Sequence, residues 1–346
     1  MSHLSRRTVL AAGAACAFAT RGAFAASYGT VRRASAGLDA VIDPGAPIEQ
    51  IAYGHYWTEG PVWVKDGGYL LYSDPDKNTL FRWPDSGGDK VFLTPSGFEG
   101  DEPAKSGLRE PGANGLGIDK TGALIACDSG NRALMRIDIA SKKKQVIVDR
   151  YEGKRFNSPN DLCFARSGAI YFTDPCFGLE GFENSGVREL PYAGVFRLAP
   201  DGTLTLIDQT LQRPNGIALS PDEGTLYVTN TGPEQPIIKA YYLNDDGLPG
   251  GSGTFFDVTP MLTPANSGIL AGAVLDGMTV DELGNLFVSG PGGIMVLSKD
   301  ARLLGQICVT ARITSNCAFG EDGYTLFITA TDIVARVRLK TRGAAV

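Results

Sequence analysis

The sequence predicts an all-β fold: six four-stranded blades closed into a β-propeller around a central channel. Three observations carry that reading. A phrase recurs six times, its spacing suits one blade per copy, and no long amphipathic helix lies between copies. The phrase is an oxygen-bearing residue, often with glycine after it, then a short apolar run, a polar turn and a second β-rich run. The copies begin at Glu59-Gly60-Pro61-Val62-Trp63, Asn114-Gly115-Leu116-Gly117-Ile118, Asn160-Asp161-Leu162-Cys163-Phe164, Asn215-Gly216-Ile217-Ala218-Leu219, Asp276-Gly277-Met278-Thr279-Val280 and Asn316-Cys317-Ala318-Phe319.

Second strands follow each start, as in Tyr69-Leu70-Leu71-Tyr72, Ala169-Ile170-Tyr171-Phe172 and Thr325-Leu326-Phe327-Ile328, and third strands in most copies, as in Gly194-Val195-Phe196-Arg197-Leu198. Successive starts lie 55, 46, 55, 61 and 40 residues apart, enough for four strands and variable loops. Without helices between copies, βαβ architectures are disfavoured. One copy cannot bury both of its faces, so six should form a ring. A strand from the 27–58 region should pair with the last copy, since an open ring would expose edges. Residues 26–346 therefore read as one domain, although 346 residues could hold two of average size.

Residues 1–25 read as a removable address. Arg6 and Arg7 precede a mildly apolar, alanine-rich stretch, and Ala23-Phe24-Ala25 offers the small-x-small pattern of a signal-peptidase site. Paired arginines before a weakly hydrophobic core fit a twin-arginine signal, so a periplasmic or secreted location is expected. No apolar run is long enough to span a bilayer. The net charge is −6, and removing Arg6, Arg7 and Arg21 with the signal makes it −9. That surface argues against nucleic-acid backbones and anionic membranes as partners. Cys16 would leave too, and none of Cys127, Cys163, Cys176, Cys308 and Cys317 forms a C-x-x-C pair. Small buried hydrophobes are the role expected of them.

The first residues of the six copies carry the candidate chemistry. In a propeller the innermost strands line the channel, so Glu59, Asn114, Asn160, Asn215, Asp276 and Asn316 should form a ring of side-chain oxygens. A hard cation such as calcium requires oxygen ligands, and two carboxylates match a divalent charge. The ring holds no histidine or cysteine, which disfavours soft or borderline metals. Asn114 and Asn316 taken singly also read as turn or strand-start residues. Metal ligation is expected of Glu59, Asn160, Asn215 and Asp276. A second register 14 or 15 residues on holds Asp74, Asp128, Asp174, Asn230, Gly290 and Ala330; Asp74-Pro75 and Asp174-Pro175 read as strand-terminating turns whose carboxylates accept backbone amides, with support of the metal ligands as the alternative.

The chain resembles the gluconolactonase, senescence-marker-protein-30 and luciferin-regenerating-enzyme family over nearly all of its mature length. The most specific segments are Glu59-Gly60-Pro61-Val62-Trp63, Ser158-Pro159-Asn160-Asp161-Leu162, Arg213-Pro214-Asn215-Gly216 and Leu275-Asp276-Gly277-Met278. The resemblance implies a six-bladed propeller with one catalytic metal at the channel mouth. It maps metal-binding positions onto Glu59, Asn215 and Asp276, and a metal- or substrate-contacting asparagine onto Asn160. The family's substrate-binding arginine has its counterpart in Arg155, with Asn157-Ser158-Pro159 lengthening the spacing here. The implied chemistry is hydrolysis of a sugar lactone such as glucono-1,5-lactone. The cation would polarise the carbonyl and acidify water, and Asp276 would accept a proton. Calcium is the first expectation, with magnesium, manganese or zinc as alternatives.

Other chemistries fit less well. His55 is the one histidine outside the first 25 residues and there is no G-x-S-x-G elbow, so a serine triad has little support. His55 is expected to be held by local hydrogen bonds. The charged 178–192 loop, with Glu183, Arg188 and Glu189, reads as a lid or an ordinary solvated loop. Two alternatives stay open on sequence alone. One is a related metal-dependent lactonase or phosphotriesterase, the other a non-catalytic exported propeller that binds a ligand around a structural metal.

Overall fold

Alternation builds the blades. Along Tyr69–Asp74 every residue is buried, because one set of side chains faces the preceding blade and the other faces the next. Leu70 and Tyr72 pack with Phe327 and Val334, whereas Tyr69 and Leu71 pack with Leu116 and Ala126. A strand apolar on both faces is stable only between two neighbours, so repetition leads to a ring.

The computed structural model describes residues 27–85, 88–232, 234–263 and 275–344. Blade 1 comprises Glu59–Val64, Tyr69–Asp74, Thr79–Asp85 and Gly88–Leu93. Blade 2 comprises Ala113–Ile118, Leu124–Asp128, Ala133–Ile137 and Lys144–Val148. Blade 3 runs from Leu162–Phe164 through Ile170–Asp174 and Gly194–Leu198 to Leu204–Asp208. Blade 4 runs from Pro214–Leu219 through Thr225–Asn230 and Ile237–Leu243 to Pro249–Asp257. All neighbouring strands are antiparallel, and the inner strands of consecutive blades pack side by side around the channel.

The N-terminal segment completes the last two blades. Blade 6 has Thr314–Gly320, Thr325–Ala330 and Ile333–Arg338, and its outer strand is Glu49–Tyr53, which pairs with Ile333–Arg338. Ring closure thus uses a strand from the region the sequence indicated. Blade 5, made of Met278–Val280, Leu286–Gly290, Gly293–Leu297 and Leu303–Val309, gains a fifth strand, Gly29–Arg33. That strand departs from the expected four per blade. It covers the edge of Leu303–Val309, which would otherwise stand open.

Six apolar clusters fill the six interfaces between blades. The largest joins blades 5 and 6 and takes in Leu38, Val41, Ile42 and Ile48 from the N-terminal segment. The described helices are short 3-10 turns, and none is long and apolar enough to cross a membrane. The five described cysteines are free, four buried and Cys163 half-buried. The expected signal, residues 1–25, lies outside the described residues.

Candidate active site

The ring residues sit at the start of the inner strands. In blades 1, 2, 4 and 6 a bulge falls there, between Glu59 and Val62, Ala113 and Leu116, Pro214 and Ile217, and Thr314 and Asn316. A bulge re-aims the side chains next to it. In blades 3 and 5 Asn160 and Asp276 lie just ahead of the strand. All six first positions are nearly buried, Asp276 the least at 8% exposure.

Small residues behind the ring let it close tightly. Gly60 has φ +48°, and a β-carbon there would lie 2.2 Å from the Asn114 carbonyl oxygen. A β-carbon on Gly277 would lie 2.0 Å from Asn316 Cγ. Hydroxyls then tie blade 1 to 2, 3 to 4 and 4 to 5. Ser73 donates to the carbonyl of Asn114 at 2.7 Å, Thr173 to that of Asn215 at 2.7 Å and Thr229 to that of Asp276 at 2.9 Å. The backbone under the ring is thereby fixed by its neighbours, which preorganises the side chains above it.

Across the channel the side chains converge. Trp57 Nε1 donates to Glu59 Oε1 at 3.1 Å, and the Asn215 amide hydrogen-bonds Asp276. Asn316 Oδ1 is occupied by the N–H of Cys317 at 2.8 Å, so its NH2 faces the acids. That NH2 bonds Glu59 and lies 3.4 Å from Asp161 Oδ2. Blades 3 and 6 are opposite each other, so this contact spans the axis. Asn316 is therefore a donor to carboxylates rather than an oxygen ligand.

The inner carboxyl groups are buried and repel one another. Burial, then the other carboxylates, pushes Glu59 up to about 8 and Asp276 well above the usual range. Burial pushes Asp161 up to about 7. Among the described residues no lysine or arginine is one of the main groups acting on Glu59, Asp161 or Asp276. Buried acids without a basic partner are costly unless a proton or a cation balances them. Glu59 and Asp276 lie with the Asn215 amide beside Asp276, and Asn160 is buried at the same register of blade 3. Among the described residues no three acidic, histidine or cysteine side chains gather as a ligand group.

Asp161 is the residue the sequence reading missed. It stands at the register that glycine fills in blades 1, 2, 4 and 5, and its charge acts on Glu59, Asp276 and the Cys127 and Cys317 thiols. Its departure from glycine was the available signal.

Arg155 is placed apart from the ring. Its N–H donates to Glu189 at 2.8 Å, its guanidinium donates to the Asn131 carbonyl at 2.7 Å, and it lines a separate cavity. Among the described residues no hydrogen bond or ion pair joins it to the ring. His55 Nε2 meets the Tyr72 hydroxyl at 3.0 Å, and that hydroxyl donates to Asp89 at 2.7 Å. These are the local bonds expected of it. The 178–192 loop is pinned by Arg213, which donates to both Glu183 oxygens at 2.7 and 3.0 Å.

Residues 57–332 match the profile of the SMP-30/gluconolactonase/LRE-like region. The chain belongs to this family. It is 47% identical over 319 residues to a gluconolactonase of Zymomonas mobilis, covering 92% of this chain and 88% of that protein. Among solved structures, a Xanthomonas campestris gluconolactonase is 32% identical with a TM-score of 0.74, over 90% of this chain and 95% of the other. The calcium-binding protein regucalcin from Agrobacterium tumefaciens is 18% identical with a TM-score of 0.65, over 85% and 95% of the two chains. This last likeness is one of fold, and it shows that the SMP-30 fold includes a calcium-binding protein.

Proposed function

We propose that this protein hydrolyses a sugar lactone of the glucono-1,5-lactone type, using a divalent cation held by Glu59, Asn160, Asn215 and Asp276. One observation carries the reading. Two buried carboxylates from blades 1 and 5 converge with amide side chains and, among the described residues, have no basic side chain as a main partner. The relation to the Zymomonas gluconolactonase supports the substrate class. Calcium is the favoured ion because every donor is oxygen. When bound, such a cation supplies Lewis acidity toward the lactone carbonyl and the attacking water.

The chain's own residues do the rest. Asp276 accepts the proton of the water whose oxygen bonds to the carbonyl carbon. The bond from that carbon to the ring oxygen breaks, the ring oxygen takes the proton as a hydroxyl, and a carboxylic acid is released. Asn160 shares its side chain between the cation and the sugar. The Trp57 N–H holds Glu59 in place, and Asn316 offsets part of the repulsion between the acids by donating to Glu59. Residues 1–25 support export by the twin-arginine route to the periplasm or beyond.

Acid release from glucono-1,5-lactone, followed in a pH-stat, tests the proposal. Chelated protein should be inactive, and calcium, magnesium, manganese or zinc should restore turnover. Release no faster than spontaneous hydrolysis with every ion would overturn it.

A further inference from the structure

A second polar cavity, of about 580 Å³, lies beside blades 2 and 3 and has none of the ring residues in its wall. Its floor is the turn after Leu124–Asp128, where Arg132 adopts a left-handed backbone with φ +57°. One side is the segment carrying Phe98 and Leu108, and the other is the 178–192 loop with Val187, Arg188 and Glu189. Arg155 reaches it from the short hairpin Arg150–Tyr151 and Lys154–Arg155.

The cavity concentrates guanidinium groups. Arg132 is 4% exposed, and it donates to the carbonyls of Phe156 at 2.6 Å and Val187 at 2.9 Å. Its remaining terminal nitrogen, Nη2, is buried with no hydrogen-bond partner among the described residues, and the same holds for Nε of Arg188. Arg155 repels Arg132, against the attraction of Glu189 and Asp174. Glu189 is itself engaged by the Arg155 N–H, and Asp174 by the N–H groups of Asn157 and Ser158, both at 2.8 Å. Three guanidiniums thus face one cavity with a single carboxylate in its wall. Buried N–H groups without acceptors are costly, and an oxyanion is the partner that planar guanidinium donors fit.

We propose that this cavity is a binding site for a small oxyanion, and that it takes the carboxylate of a sugar acid. The Arg132 and Arg188 nitrogens hold the carboxylate. The volume is far larger than one oxyanion needs and leaves room for a five-carbon polyhydroxy tail, which Asn131 and Ser106, both in the wall, can hydrogen-bond. The choice of a sugar acid rests on the lactonase reading, because that reaction releases such an anion. The oxyanion chemistry does not rest on it.

Calorimetric titration of chelated full-length protein with gluconate and, separately, with inorganic phosphate tests the inference. Chelation keeps the ring from contributing a cation-mediated site. One-to-one binding of gluconate, tighter than that of phosphate, is expected. It should persist in Glu59→Gln and weaken about tenfold or more in Arg188→Gln. Arg132→Lys keeps the charge, loses the planar fork and should weaken it similarly. Binding of phosphate alone would overturn the sugar-acid assignment. Absence of binding by either anion, or affinity in both arginine variants unchanged from that of the unsubstituted protein, would overturn the site. A lactonase that fails this titration leaves the ring assignment standing, and a protein without turnover that passes it leaves the cavity standing.

Discussion

Two sets of carboxylates lie one strand apart at the same end of the propeller, and they are satisfied in opposite ways. Asp174, fully buried, accepts the N–H groups of Asn157 and Ser158, while Asp74 accepts the N–H of Tyr56 at 2.8 Å. Asp128 likewise takes the Asn131 N–H at 2.9 Å. Asp74 and Asp174 clamp the chain entering the inner strands of their blades, whereas Asp128 holds the turn after its own strand. Glu59 and Asp276, further in, have an indole or amide beside them and each other's charge. Burial raises carboxyls in both sets, Asp174 to about 7 and Glu59 to about 8. What separates them is the source of compensation. A carboxylate saturated by backbone donors supports the fold, whereas one facing other acids requires a cation or a proton.

That contrast is broken most directly by removing inner charge. Glu59→Gln and Asp276→Asn should each lower kcat/KM by roughly a thousandfold, with cation affinity lost in parallel and little change in unfolding midpoint. Full turnover in either variant would remove the proposed site. The converse is Asp174→Ala, which strands two buried N–H donors and should cost about 3 kcal/mol in urea unfolding. The folded fraction should still bind cation; unchanged stability would show the outer set to be dispensable.

Asp161 sharpens the boundary between the sets. Asp161→Asn removes a charge felt by both inner acids and should weaken cation binding roughly tenfold, read by calorimetry, with kcat less affected than affinity. An unaltered dissociation constant would count against it. The smallest effect concerns pH. Glu59 and Asp161 have folded values above their unfolded ones, so the folded state holds extra protons between about pH 4.5 and about 8. The metal-free protein should therefore be most stable below that window and lose stability as pH rises through it. A cation replaces those protons, so the calcium-induced rise in melting temperature should be larger at pH 8 than at pH 5. An equal rise at both would mean that the acids do not face the ion.

Much of the propeller was legible because its signal is local. Each second strand, such as Thr225–Asn230, is apolar on both faces and recurs at blade spacing, and the ring residues share one register. The outermost strands were harder to see. Gly29–Arg33 is mostly exposed, so it carries no apolar period, and only the open edge of Leu303–Val309 gives it a place. Asn316 looked like another ring oxygen, yet the N–H of Cys317 takes that oxygen. Asp161 was passed over because the repeat put it where glycine usually stands. Arg155, mapped by resemblance to substrate, lies in a different cavity because the longer spacing before Asn160 sets it on a separate hairpin.

The sequence alone determined the number of blades and the shared register of the six residues at the head of the inner strands. These follow from residue type and period, which are properties of short stretches. Tertiary structure decided which oxygens remain free, how the acids feel one another across the axis, and where three arginines meet. Those depend on distances between residues far apart in the chain, and such distances are fixed only when the ring closes.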